Sequence, residues 1–205
     1  MDEAISTAKE LKDRYALALA LSFAANLAHL ERDYAEVDRL ASDLIELSTR
    51  HNFLNSLAAG AIYRGWARNA SGNTAEGIRW IEQGIRDGQA TGAVLGLAPD
   101  LACKAQALHL ADRTPEALEA ISEAVAIAER FEHGYHSAEM HRLRGVFLAT
   151  LGAEESQIEA SFCEAIRIAK GQKSISLEKR TEATYAEYRR QKATTPRGRG
   201  FRLPL

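Results

Sequence analysis

The sequence predicts an all-α protein, a right-handed α-α superhelix of helix pairs with a period of about 40 residues. Three observations carry this. Ala accounts for 37 of 205 residues and Pro for four, two of them in the last ten, so nothing breaks the long helical runs before Lys192. Tiny residues recur at a spacing of 40, at Ala25, Gly65, Ala105 and Gly145. A β-branched column keeps the same step through Ile5, Ile45, Ile85 and Val125, reaching Ile166 one residue late; Ala8, Ser48, Gly88, Ala128 and Ala169 form a small-residue column beside it.

Taken in order, residues 1–12 read as the back half of a helix pair whose first helix is missing, because Ile5 and Ala8 occupy the columns of Ile45 and Ser48. Four units then start near residues 14, 54, 94 and 135. Their first helices are expected over about 14–30, 54–71, 94–111 and 135–151, and their second over about 34–50, 74–91, 115–132 and 155–170. Asp33, Asn73 and Thr114 are suitable N-caps, and Pro115 suits the first helical position. Glu36, Glu76 and Glu116 follow within the first turn, where a carboxylate favours the helix dipole. Small residues in the middle of each first helix let its partner cross closely. A capping helix over 174–192 closes the repeat domain, 1–192, and 193–205 is a basic flexible tail.

The uncharged run YALALALSFAANLAHL, 15–30, raises the question of a signal or an anchor. Asp2, Glu3, Glu10 and Asp13 precede it where a signal sequence would be net positive, and sixteen residues fall short of the roughly 20 needed to cross a bilayer. The run is expected to be the first helix of a unit, apolar nearly all round because neighbours cover several sides. A cytoplasmic protein with no membrane partner is expected. Residues 189–202 carry six basic residues and no acid, which leaves 20 basic and 28 acidic residues elsewhere, a net of −8. A surface that acidic argues against a nucleic-acid partner. Cys103 and Cys163 form no CxxC motif and read as buried small hydrophobes.

Gly65, Gly72, Gly77 and Gly84 fill four small-residue places of a motif: mid first helix, turn, and two positions of the second helix. Ala105, Ala117 and Ala124 fill three in the next unit, and Gly145, Phe162 and Ala165 align in the fourth. With these the chain resembles tetratricopeptide (TPR) repeats. It departs from them in its period of 40 instead of about 34, in Val37, Leu44 and Ile158 at small-residue places, and in one residue inserted near 152–156. GWARNASGNTAEGIRWIEQGI (65–85), AEMHRLRGVFLATLG (138–152) and EASFCEAIRIAKGQKSISLEKR (159–180) are more narrowly similar to the C-terminal TPR region of large bacterial signalling proteins that carry a class III adenylate/guanylate cyclase domain and an ATPase domain. That resemblance implies a non-catalytic regulatory scaffold. No GxxxxGK[ST] phosphate loop is present, so the catalytic activities do not carry over.

In TPR arrays the first helices line the concave face, where a protein or peptide partner binds. The register puts Asn26 and His29, Trp66 and Asn69, Gln106 and His109, and Arg142 on that face. His29, Asn69 and His109 are expected to stack as a polar ladder, with Trp66 as a peptide anchor between Asn26 and Gln106. The competing reading of Trp66 is a side chain packed between helices. No cofactor is expected. The alternative reading is a metal-binding protein or enzyme using Glu132, His133, His136, Glu139 and His141, a set that straddles a loop and a helix start and matches no fixed site. A third is a non-functional fragment of a longer cyclase-like protein. The apolar N-terminal edge is expected to be covered by upstream sequence or by a second copy in a homodimer.

Overall fold

The structure, a computed structural model, describes residues 2–131, 134–194, 201 and 203–205. Among the described residues it contains ten α-helices and no strand. They are α1 (Asp2–Glu10), α2 (Arg14–Glu31), α3 (Tyr34–His51), α4 (Leu54–Ala70), α5 (Thr74–Ala90), α6 (Leu97–Leu110), α7 (Thr114–Arg130), α8 (Ser137–Thr150), α9 (Glu155–Gly171) and α10 (Ile175–Thr194). The chain divides into two compact bodies, Met1–Ala111 and Asp112–Leu205.

The turns follow a rule of their own. Lys12, Arg32, Asn52, Gly72, Gly92, Asp112 and Gly152 all have positive φ, and they fall on a grid of half the repeat period, with Lys173 one residue late. Each left-handed residue ends one helix and turns the chain into the next. The cap expected at Asp33 forms, its carboxylate accepting from the Glu36 N–H at 3.0 Å. Asn73 stands at the cap position of α5, but its side chain makes no cap hydrogen bond, and two further helix starts differ from expectation. Thr114 is already helical and Arg113 takes the cap position, with Pro115 still in the first turn. α6 begins at Leu97, so that Pro99 lies in the first turn, where its missing N–H costs no hydrogen bond.

In the first body α2, α4 and α6 lie side by side, with α3 and α5 behind them. The tiny-residue column is where helices cross. Ala25 and Ala105 are fully buried. A Cβ on Gly65 would lie 2.7 Å from the Gly77 carbonyl oxygen, and one on Gly77 would lie 2.5 Å from that of Gly65. α4 and α5 therefore meet backbone to backbone, and neither glycine can be replaced without parting them.

In the second body α8 is buried along most of its length, with Gly145 against the Phe162 ring of α9. Arg142 has no exposed surface. Its guanidinium donates to both Glu139 carboxylate oxygens, at 2.7 and 2.9 Å, to Thr184 Oγ1 at 3.3 Å and to the Pro204 carbonyl at 3.2 Å. Within the tail, the Phe201 N–H donates to the Ala149 carbonyl at 3.3 Å and its ring meets Tyr188 edge-on at 5.0 Å.

No described helix is long and apolar enough to cross a membrane.

Candidate binding site

The first body assembles most of the expected ligand-face residues into one cluster. The repeat spacing does this: α2, α4 and α6 each present the same positions, one repeat apart, toward their neighbours. Asn26 Nδ2 donates to the Tyr63 hydroxyl at 2.7 Å. The His29 ring stands edge-on to Trp66 at 4.4 Å and approaches Tyr63 at 6.0 Å. Gln106 Nε2 lies 3.3 Å from His29 Nε2, and Cys103 Sγ lies 3.7 Å from the same atom. Asn69 Nδ2 donates to the Ala107 carbonyl at 2.9 Å, fastening α4 to α6.

The cluster has a floor and a rim. His29, Trp66, Asn69 and Gln106 are buried, whereas Asn26 and His109 are half-buried and Tyr34 is exposed. Trp66, expected as an open anchor, is only 3% exposed because Tyr34, at the start of α3, stacks on its indole at 4.9 Å. The packed reading of Trp66 is therefore the one the geometry supports. Two floor atoms nevertheless lack a hydrogen-bond partner: the donor Trp66 Nε1 and the acceptor Asn69 Oδ1. Both atoms are enclosed, so they are exceptions to the near-universal pairing of buried polar atoms.

The expected ladder takes a different form. His29 reaches Gln106 and Cys103 across the body, while Asn69 bonds to main chain. Arg142 belongs to the second body and is enclosed there with Glu139, so it offers no surface to a ligand. Tyr34 and Tyr63 went unrecognised in the sequence. Tyr63 sits one repeat before Cys103 and three residues before Trp66 on α4.

Burial, with the Asp100 charge adding to it, pushes the Cys103 thiol well above its ordinary range, so it is a protonated packing group and a poor nucleophile. Cys163 corrects the sequence reading: it is exposed on α9. Of the set considered for a metal, Glu132 and His133 lie outside the described residues. Glu139 is engaged by Arg142, and His136 is buried with its pKa lowered to about 4 by desolvation. No group of three or more His, Cys, Asp or Glu among the described residues is placed to hold a metal ion.

No protein-family model matches the chain. In sequence it is similar to an uncharacterized protein of Rhizobium meliloti (strain 1021), 26% identical over 190 residues, which covers 91% of this chain and 18% of that protein. The chain thus spans about a fifth of the length of the curated relative it matches. In structure it is similar to Bacillus thuringiensis PlcR, solved in complex with the peptide PapR7 and DNA. The TM-score is 0.64 at 18% identity, covering 85% of this chain and 64% of that one, slightly under two thirds of its length. The apo form of RapI has a TM-score of 0.56 at 13% identity, covering 94% of this chain and 83% of that one. BtubC from P. vanneervenii also has 0.56 at 13%, covering 100% and 94%. The fold is TPR-like: helix pairs of the kind these helical repeat proteins share.

Proposed function

We propose that this chain is a non-catalytic scaffold that binds a protein or peptide, and that it serves as a regulatory module of a bacterial signalling protein. The observation that carries the binding role is the ligand-side register of α2, α4 and α6, on which Asn26 and His109 are half-buried and Tyr34 is exposed where it stacks on Trp66. Asn26 and His109, which can donate and accept, in a neutral, aromatic setting match an extended peptide, whose backbone offers both a carbonyl and an N–H. The PlcR neighbour was solved with a peptide, which supports the same reading. The modular context is supported by the Rhizobium relative, of which this chain matches 18%. A cyclase or ATPase partner domain, the cytoplasm as compartment and a second copy of the chain as a further partner belong to the same proposal.

The test is selection from a random linear-peptide display library on the intact chain. Enriched sequences that bind wild type, and bind Asn26→Ala or His109→Ala at least about tenfold more weakly, meet the expectation; tenfold is about 1.4 kcal/mol. Enrichment of nothing, or binding indifferent to both rim substitutions, overturns it.

A further inference from the structure

In the second body the helix face that continues the ligand-side register is covered by the chain's own tail. Ala149 stands 40 residues after His109, and Arg142 shares that register on α8. Both hold the tail. The Phe201 N–H donates to the Ala149 carbonyl at 3.3 Å, and Arg142 Nη1 donates to the Pro204 carbonyl at 3.2 Å. Phe201 thus lies by the last turn of α8 and Pro204 by an earlier one, so the tail runs opposite to the helix. The Phe201 ring meets Tyr188 of α10, and Arg142 reaches Thr184 of the same helix, so the tail follows the seam between α8 and α10.

The described tail residues, 201 and 203–205, are not helical, and their side chains alternate as those of extended backbone do. Leu203 is buried, Phe201 and Leu205 are half-buried, and Pro204 faces solvent. The two polar contacts to the tail are made by its main chain, an N–H at one end and a carbonyl at the other. That is how a groove takes a peptide: main-chain hydrogen bonds hold it, and pockets for alternate side chains select it. The Arg142 guanidinium is always charged and donor-only. Glu139 and Thr184 accept from it, and the Pro204 carbonyl completes its enclosure. With the tail gone, a charged donor on this face is left to take the next main-chain carbonyl.

We infer that the seam between α8 and α10 is a second peptide groove, that the tail fills it in cis, and that a partner segment binds there by displacing the tail. The partner carries the same pattern: an aromatic residue, a leucine two positions on, and a following main-chain carbonyl free of secondary structure. A tethered segment sits at an effective concentration on the order of millimolar, so a free peptide competes poorly while the tail is seated. The groove is therefore gated by its own occupant. It lies within the second body and is independent of the surface proposed on the first, so either can fail alone.

The experiment uses a fluorophore-labelled synthetic peptide GFRLPL, residues 200–205, read by anisotropy against the intact chain. In Leu203→Asp a carboxylate replaces a buried leucine and would have to be desolvated, so the tail leaves its seat. The peptide should bind Leu203→Asp at least about tenfold more tightly than it binds wild type. A peptide carrying the same Leu203→Asp change should bind neither protein. Equal affinity for the two proteins, binding of the altered peptide, or no binding up to about 1 mM overturns the inference. A second measurement needs no variant and decides the matter if Leu203→Asp fails to fold. In isotope-labelled wild type, excess unlabelled peptide should speed hydrogen exchange at the Phe201 N–H and leave the α8 amides unchanged. Exchange at Phe201 indifferent to the peptide makes the tail a fixed part of the fold and overturns the inference.

Discussion

Trp66 shows how far one residue can be read. Its rarity and its place on the ligand-side register mark it as important in sequence. Which surface it meets depends on Tyr34, the opening residue of the next helix, whose stacking depends on the angle at which α3 leaves the Arg32 turn. Spacing along one helix does not encode that angle. Trp66→Ala is expected to lower stability by about 3–5 kcal/mol, a loss of packing against Tyr34 and His29 readable by urea denaturation. A loss under about 1 kcal/mol would mean that the indole is not a core side chain. The left-handed turn residues supply a second case. Lys173 holds φ 56° with a side chain that disfavours it. Lys173→Gly should raise stability by about 0.5–1 kcal/mol once glycine's own entropy cost is set against the relief, a gain checked by the urea midpoint.

At the scale of elements, existence and order of the helices were legible in sequence because small and β-branched columns report packing directly. The helix starts were less so. Thr114 and Leu97 depart from expectation because a cap is decided by one or two φ/ψ values and not by periodicity. The half-period grid of turns was also present in the sequence, at Asn52, Gly72, Gly92, Asp112 and Gly152. It stays hidden among residue names because Lys and Arg occupy the same conformation at Lys12, Arg32 and Lys173. The close crossing of α4 and α5 gives the sharpest element-scale test. Gly65→Leu places a side chain where the Gly77 carbonyl lies 2.7 Å from the Cβ position, so the melting temperature should fall by an amount equivalent to about 3 kcal/mol or more. A melt unchanged within error would contradict the register of the whole array.

Two desolvated groups give pH dependences of opposite sign: Asp100 of the first body, raised to about 7 by desolvation, removes stability as pH rises through the range between about 4 and 7, and His136 of the second body removes it as pH falls. His136 is buried in the second body and its pKa lies at about 4, desolvation outweighing the opposing charge of Glu139. The unfolded chain, with an ordinary value of about 6.5, binds the proton more readily. The His136 contribution is therefore full above about pH 6.5 and is lost as pH falls toward 4, by roughly 3 kcal/mol. His141, also lowered mainly by burial, acts in the same direction. The readable quantity is the difference between proteins: the urea midpoint of His136→Gln relative to wild type should rise as pH falls from about 6.5 to 4. The proposed binding surface lies on α2, α4 and α6. Its most direct test is amide and indole chemical-shift mapping of the intact chain with a display-selected peptide. The account predicts that the largest shifts fall on Asn26, Tyr34, the Trp66 indole N–H, Asn69 and His109; shifts confined to α3 and α5, or to the second body, would contradict it.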